Sequence, residues 1–448
     1  MTKTADVVVI GAGTAGLAAY RAASTRGART LLVEAGPGGT TCARVGCMPS
    51  KLLIAAAEAA HHARTAGPFG VHAEVRVDGA AVMDRVRRER DRFVGFVLEG
   101  FDAIPDEDKV RGRARFVGPG EIDVDGTRIR TRATVVATGS SPFVPRMFDA
   151  IRDRLVVNDD VFDWSTLPAS VAVFGTGVIG LELGQALHRL GVRVKLFGKG
   201  GKLGSITDPV VHAAFYRAIG AELDVDPDAD VVSLEPATGT GVLVNGERFD
   251  TALIAAGRRA NLLGLGLEVA KIDRATLRMG DTSVFVAGDA NDDAPLLHEA
   301  ADEGRIAGEN AARFPDVVPG ARRSPLAVAF TDPQIAIAGS SHAELVAKGE
   351  PFVAGEVDFR DQGRSRVIRQ NHGAARIYAH ARTGRLLGAE MAGPRAENIG
   401  HLLAWAHQQG LTVDRMLAMP FYHPVVEEGI RTALRDAATK LKERGEEE

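Results

Sequence analysis

Cysteine is nearly absent: the 448-residue chain has two, Cys42 and Cys47. Two thiols cannot lace a disulfide-rich secreted scaffold, and alone they cannot complete a tetrahedral zinc site. Long apolar runs are missing too, so none approaches the ~20 residues of a membrane span. The stretch Val7–Tyr20 is apolar but lacks the basic leader of a signal peptide. It reads instead as a strand followed by a helix. An excess of positive charge is also lacking: 54 Lys and Arg face 58 Asp and Glu, for a net charge of −4. That argues against a nucleic-acid footprint. The expectation is a cytoplasmic globular protein with no nucleic-acid or membrane partner. The length suggests about three domains. A composition of 45% hydrophobic and 25% charged residues is ordinary for such a chain. Glycine, by contrast, is abundant at 51 residues, which suits several tight βα turns.

What is present gathers around Gly38–Lys51, which holds both cysteines five positions apart. Closing so short a ring stabilises a fold by only about 2 kcal/mol, so a structural staple is a poor reading. An ideal helix separates residues five apart by roughly 8–9 Å. That exceeds the reach of a disulfide. A bond therefore needs a distorted turn, which Gly46 permits. A helix is expected to run through Lys51 to Ala63, its N-terminal dipole favouring a thiolate at either sulfur. The pair reads as a reversible dithiol/disulfide, with two inert thiols as the alternative.

Two dinucleotide fingerprints stand in the chain. Asp6–Ile10 reads as a buried strand, followed by Gly11, Gly13 and Gly16 in G-x-G-x-x-G spacing and a helix from Leu17. A second strand, Thr30–Val33, ends at Glu34, placed to accept from a ribose 2′-OH. Val171–Phe174, then Gly175, Gly177 and Gly180, repeat the pattern. Here the acid is missing: Gly198 occupies its place and Lys199 follows, a cation suited to a 2′-phosphate. NADP is therefore slightly favoured over NAD. Two fingerprints imply two dinucleotides, or a duplicated fold with one silent site. The charge-rich Gly79–Gly100 reads as a helix with a solvated face. Near the other end, Pro424 suits the first position of a helix and Glu427 and Glu428 its first turn.

The segment G-G-T-T-C-x-x-x-x-C-x-P-S-K resembles the redox segment of FAD-dependent pyridine nucleotide–disulfide oxidoreductases. With the cysteines aligned, Thr40 stands where the family usually has its second glycine. The resemblance extends over nearly the whole chain and, within the family, is strongest to dihydrolipoyl dehydrogenases. It implies an α/β fold with two Rossmann-like dinucleotide-binding domains, for FAD and NAD(P), and a C-terminal α+β dimerisation domain. Residues 1–145 and 265–322 would bind FAD, 146–264 NAD(P), and 323–448 would form the homodimer interface. FAD contacts would fall to Gly11, Gly13, Gly16, Glu34, Thr41, Lys51, Thr138, Gly139 and Asp289. NAD(P) contacts would fall to Gly175, Gly177, Gly180, Lys199 and Gly257. Glu182 matches the glutamate that pairs with the lysine beside the flavin, here Lys51. His423 and Glu428 match the catalytic pair of the motif His-Pro-Thr-x-x-Glu, with Val425 in place of threonine.

The implied activity is a relay from nicotinamide through flavin to Cys42–Cys47. Cys47 would face the flavin and Cys42 would exchange with a dithiol/disulfide substrate, foremost dihydrolipoamide/lipoamide, free or on a lipoyl-bearing protein. No cysteine follows Cys47, which argues against a second redox pair of the mercuric or thioredoxin reductase kind. A glutathione reductase-like enzyme is the nearest alternative. A transhydrogenase or NAD(P)H oxidase, or a non-catalytic sensor on the same fold, would leave the dithiol and His–Glu pair without a use.

Overall fold

The computed structural model describes residues 2–447. Strand β1 (Thr2–Ile10) starts exposed and is fully buried from Val7 on. Its apolar run serves two cores. Val7 and Val9 pack with helix α1 (Thr14–Thr25), whereas Val8 and Ile10 pack with Leu31 and Val33 of β2 (Thr30–Glu34). Burial on both faces is why β1 and β2 read as continuous rather than alternating. A short helix α2 (Thr41–Val45) leads into α3 (Cys47–Arg64), and α4 (Gly79–Asp102) lies against both. Strands β3 (Lys109–Arg111), β4 (Ala114–Gly118), β5 (Glu121–Val124) and β6 (Thr127–Val136) follow. The sheet order is β3-β2-β1-β6-β5-β4. Pairing is parallel around β1 and antiparallel from β4 to β6.

The chain leaves through β7 (Ser140–Pro142) and builds a second sheet. Its members are β8 (Leu155–Val157), β9 (Ser170–Phe174), β10 (Arg193–Phe197), β11 (Asp224–Asp226) and later β15 (Thr251–Ile254), in the all-parallel order β11-β10-β9-β15-β8. Helices α5 (Asn158–Val161), α6 (Val178–Arg189) and α7 (Pro209–Gly220) join these strands. Strands β12 (Leu234–Pro236), β13 (Val242–Val244) and β14 (Glu247–Phe249) form a small meander, and β15 (Thr251–Ile254) closes the unit. The return strand β16 (Arg258–Ala260) pairs antiparallel with β7, so both crossings run side by side. Strand β17 (Val284–Val286) then rejoins the first sheet beside β6, and α8 (Leu297–Arg313) packs against α1.

The third unit is an antiparallel sheet of β18 (Leu326–Ala329), β19 (Gln334–Gly339), β20 (Phe352–Asp358), β21 (Ala374–His380) and β22 (Leu386–Gly393), ordered β18-β19-β22-β21-β20. Helices α9 (His342–Lys348) and α10 (Gly363–Val367) lie between its strands, and α11 (Ala396–Gln408), α12 (Val413–Leu417) and α13 (Glu428–Glu447) follow. One correction falls here. The last helix starts at Glu428, so Pro424 lies in a turn before it, not at its first position. The Glu428 carboxylate is engaged upstream, with His423 and the amide of Val425, and this folds the 423–427 segment into turns.

The third unit grips the second through a buried acid. Glu390 of β22 is 0% exposed and accepts from the amides of Thr207 (2.7 Å), Asp208 (2.9 Å) and His342 (2.8 Å), and from the Thr207 hydroxyl. Asp208, also buried, caps α7 and accepts from Tyr378. Among the described residues no helix is long and apolar enough to cross a membrane.

Candidate active site

The two cysteines sit at the break between α2 and α3. Gly38, Gly39 and Thr40 all have positive φ, the last at 56° with ψ 148°. A non-glycine residue there carries strain of order 1–3 kcal/mol. The Thr40 hydroxyl partly offsets it by accepting from the Ala43 amide at 3.3 Å. The loop thus keeps a glycine-like path at the position where threonine replaces glycine. Gly46 separates the helices at φ −123°, ψ −118°. A Cβ there would lie 3.1 Å from the Thr41 carbonyl oxygen and 3.2 Å from the Cys42 Cα, so a side chain would press the two cysteine-bearing turns apart. Pro49 falls in the first turn of α3, where its missing N–H costs nothing.

Both cysteines are thiols. Their ionisation is unequal. A hydrogen bond from the Cys42 thiol, aided by the Lys51 charge, lowers the pKa of Cys47 to about 7 against the opposing effect of burial. The same hydrogen bond, together with burial, pushes Cys42 far up. Ionisation is therefore favoured at Cys47, the first residue of α3, over Cys42, and not at either sulfur alike. One turn on, Lys51 Nζ reaches Glu182 Oε2 at 2.7 Å. Glu182 is a buried residue of α6, 5% exposed, and its other oxygen accepts from the Phe330 amide at 2.8 Å. The ammonium also lies 4.6 Å from the centre of the Phe330 ring. One ion pair thereby joins all three units. Phe330 was not legible as a site residue, because its contribution is a backbone amide and a packed ring face.

The fingerprint loops test whether dinucleotides fit. A Cβ on Gly11 would lie 2.4 Å from the Ala137 carbonyl oxygen, and on Gly16 only 1.7 Å from the Gly11 oxygen. Gly13 instead faces open space, with nothing within 4 Å. The second loop repeats this: 2.3 Å at Gly175, 1.9 Å at Gly180, and nothing within 4 Å at Gly177. Neither α1 nor α6 has a side-chain N-cap, so their first amides point into the open cradle. A pyrophosphate suits that geometry and the dipole behind it. Both sites fit their groups.

Around the first cradle, Glu34 accepts from the amides of Ala12 and Gly36, each at 2.6 Å. Thr41 is exposed at the start of α2. Thr138 donates to the Asn261 carbonyl at 2.8 Å, and Gly139 at φ 68° faces open space. Asp289 accepts from the Ser140 hydroxyl at 2.7 Å. Around the second, Gly257 at φ 105° is likewise open. Gly198 is closed in: a Cβ there would meet the Pro227 carbonyl oxygen at 2.5 Å and the Thr176 hydroxyl at 2.6 Å. Lys199 and Lys202 are exposed, and among the described residues neither forms an ion pair. Asp228, which sequence reasoning missed, accepts from the Gly200 amide at 2.6 Å on the same loop.

His423 and Glu428 do meet, Nδ1 to Oε2 at 3.1 Å. The hydrogen bond from His423 holds the Glu428 carboxyl below its ordinary value. The imidazole is 80% exposed, and among the described residues Glu428 is its one hydrogen-bond partner. No cysteine is brought to it within the chain.

Comparison with known proteins matches this arrangement. Residues 5–304 match the pyridine nucleotide-disulphide oxidoreductase family, and residues 326–434 match that family's dimerisation domain. A dihydrolipoyl dehydrogenase of Thermus scotoductus is 31% identical, over 96% of this chain and 97% of the relative. A mercuric reductase of Staphylococcus aureus is 27% identical, over 96% of this chain and 81% of its own. Among solved structures, LpdA of Mycobacterium tuberculosis superposes with a TM-score of 0.81 at 24% identity, covering 97% of this chain and 99% of that one. The family match spans most of the chain and both fingerprints, the dithiol and the C-terminal sheet lie within it: the chain belongs to the pyridine nucleotide-disulphide oxidoreductase family.

Proposed function

We propose that the chain is an FAD-dependent NAD(P)–disulfide oxidoreductase that exchanges electrons with a dithiol/disulfide pair of the lipoamide kind. The observation that carries the reading is the pair of cysteines at the start of α3 beside the Lys51–Glu182 ion pair, a setting that favours ionisation at Cys47 over Cys42. When bound, FAD supplies the two-electron exchange between nicotinamide and the dithiol. The residues around it hold and orient. Gly11, Gly13 and Gly16 admit its pyrophosphate, Glu34 a ribose, and Thr41, Thr138, Gly139 and Asp289 the remainder. Lys51 brings a fixed positive charge, braced by Glu182. Residues 1–145 and 265–322 form the FAD-binding domain, 146–264 the NAD(P)-binding domain and 323–448 the interface.

Substrate chemistry runs through sulfur. Cys42 loses its proton to His423 and attacks one substrate sulfur, forming a mixed disulfide and releasing the other as a thiolate. His423 returns the proton to that leaving sulfur. The Cys47 thiolate then attacks the Cys42 sulfur, releasing the second substrate thiolate, and Cys42–Cys47 becomes the disulfide. Glu428 fixes the imidazole for both transfers. The chain carries the dimerisation domain and acts as a homodimer. His423 is supplied by the second copy, which its exposure within one chain favours. NADP(H) is the preferred nucleotide, for Lys199 offers a cation and Gly198 no acid. A carrier-bound lipoyl group is the natural substrate. Glutathione disulfide is the second reading, favoured by the same lysine.

The test is direct. The purified flavoprotein is titrated with NADH and NADPH, and lipoamide and glutathione disulfide are assayed with each. Turnover of lipoamide above glutathione disulfide supports the first reading. The reverse order replaces it with the second, and turnover of neither disulfide overturns both.

A further inference from the structure

One guanidinium gathers segments from the cofactor cradle, the nucleotide unit and the dithiol. Arg258 opens β16, on the return crossing, and its side chain is 16% exposed. Its Nε donates to the Ser140 hydroxyl and its Nη2 to the Ser140 carbonyl, each at 2.9 Å. Its Nη1 points the other way, to Asn158 Oδ1 at 3.4 Å and Asp159 Oδ1 at 3.3 Å. Both arms continue. The Ser140 hydroxyl, already accepting from Arg258, donates to Asp289 Oδ2 at 2.7 Å. Asn158, 6% exposed, donates from Nδ2 to the Val45 carbonyl at 3.4 Å. Val45 lies between the two cysteines, at the end of α2.

We infer that Arg258 is a positioning residue that sets the Asp289 carboxylate through Ser140 and the Cys42–Cys47 connection through Asn158. This rests on the reading of Asp289 as a flavin contact. The strand pair alone cannot do the work: β7 and β16 are three residues each, too short to hold a fixed geometry unaided. A hydroxyl held between a cation and a carboxylate is polarised along one direction, so Ser140 presents its proton to Asp289 and leaves Asp289 Oδ1 for the cofactor. On the other arm, Asn158 Nδ2, held at 2.7 Å by Asp159 Oδ1, reaches the carbonyl that ends α2 at 3.4 Å, and so restrains the turn that carries Cys42 toward Cys47. The charged or titratable groups acting on Cys47 are Cys42, Lys51 and Glu182, and the tether moves only the first of them. A lysine cannot replace the arginine, because the two arms need a planar fork with donors on opposite edges.

The experiment separates the arms in flavin-free, reduced protein. Binding of added FAD is read from quenching of flavin fluorescence, and Cys47 from the pH dependence of its alkylation. Ser140→Ala is expected to weaken FAD about tenfold, the loss of one charge-assisted hydrogen bond, with the alkylation profile unmoved. Asn158→Ala is expected to leave FAD binding intact and move the Cys47 midpoint up from about 7. Arg258→Gln should do both, and Arg258→Lys should rescue neither. The inference is overturned if Arg258→Gln lowers thermal stability while sparing both readouts, or if the two single-arm variants give the same effects. Asp289→Asn separates the underlying reading. If it alone weakens FAD, Arg258 has no positioning role. If neither it nor Ser140→Ala weakens FAD, the flavin assignment of Asp289 falls and takes the inference with it.

Discussion

Replacing Glu390 with glutamine exchanges one carboxylate oxygen for an NH2 group and should loosen the junction between the second and third units. Each oxygen of the native carboxylate accepts two donors. Oε2 takes the Thr207 and Asp208 amides, and Oε1 takes the His342 amide and the Thr207 hydroxyl. A glutamine must turn its NH2 toward one of these pairs. The milder choice faces the Thr207 hydroxyl, which can rotate and accept, and leaves the His342 amide without a partner. A buried donor left unmade costs about 1–3 kcal/mol, and the surviving bonds lose their charge assistance. The total is about 2–4 kcal/mol. Unfolding of a three-unit chain is not a two-state event, so a local readout is the right one. Amide hydrogen exchange at peptides covering 205–211 and 340–345 should quicken roughly 30- to 1,000-fold, at about 1.4 kcal/mol per tenfold. A change below threefold in both peptides, with the variant folded, would refute the view that this carboxylate holds the two units together.

Other expectations follow from the site. Reduced, flavin-free protein treated with iodoacetamide should label Cys47 first, with a rate that rises through about pH 7: below it the thiol dominates, above it the thiolate. Cys42→Ala removes the donated hydrogen bond and should move that midpoint up, whereas a midpoint near ~8.5 in the unmodified protein contradicts the unequal dithiol. Lys199→Glu should weaken NADPH by about 1.5–3 kcal/mol and spare NADH, and a strong NADH preference before mutation would end the NADP reading. Mixing Cys47→Ser chains with His423→Ala chains under exchange should restore activity, since one hybrid site then holds an intact dithiol and an intact imidazole. Proven heterodimers that stay inactive would falsify the shared site.

Local pattern carried much of this architecture. Strand, glycine loop and helix at residues 6–26 and again at 171–189 are short-range signals: Gly16 and Gly180 answer to their own turns, although Gly11 and Gly175 meet the more distant carbonyls of Ala137 and Ala255 and Gly13 and Gly177 face open space. The Lys51–Glu182 pair spans 131 residues and was legible only through resemblance; spacing says nothing about which helices will cross. Other features escaped because they are made by backbone or by fold. Phe330 contributes an amide, Asp228 caps a loop whose neighbours β10 and β11 are set by sheet order, and Glu390 looks like one acid among many until four donors converge on it. The start of α13 was misplaced for a comparable reason. Proline and paired acids favour a helix start locally, but Glu428 is spent on His423 and on the turn before the helix.

The crowding at Gly198 bears on how nucleotide choice can drift. In an open site, one substitution at the end of the second strand exchanges a carboxylate for a neutral residue and converts one coenzyme preference into the other. That route is shut here, since any side chain first collides with a carbonyl held rigid by the neighbouring strand end. On the NADP reading, preference would rest instead on exposed positions, Lys199 and Lys202 on the loop after β10 and Asp228 on the neighbouring loop after β11, where changes meet solvent and not packing. A lineage with this sequence could retune its reductant by small, independent steps that leave the fold untouched. A designer seeking the same result has reason to leave residue 198 alone.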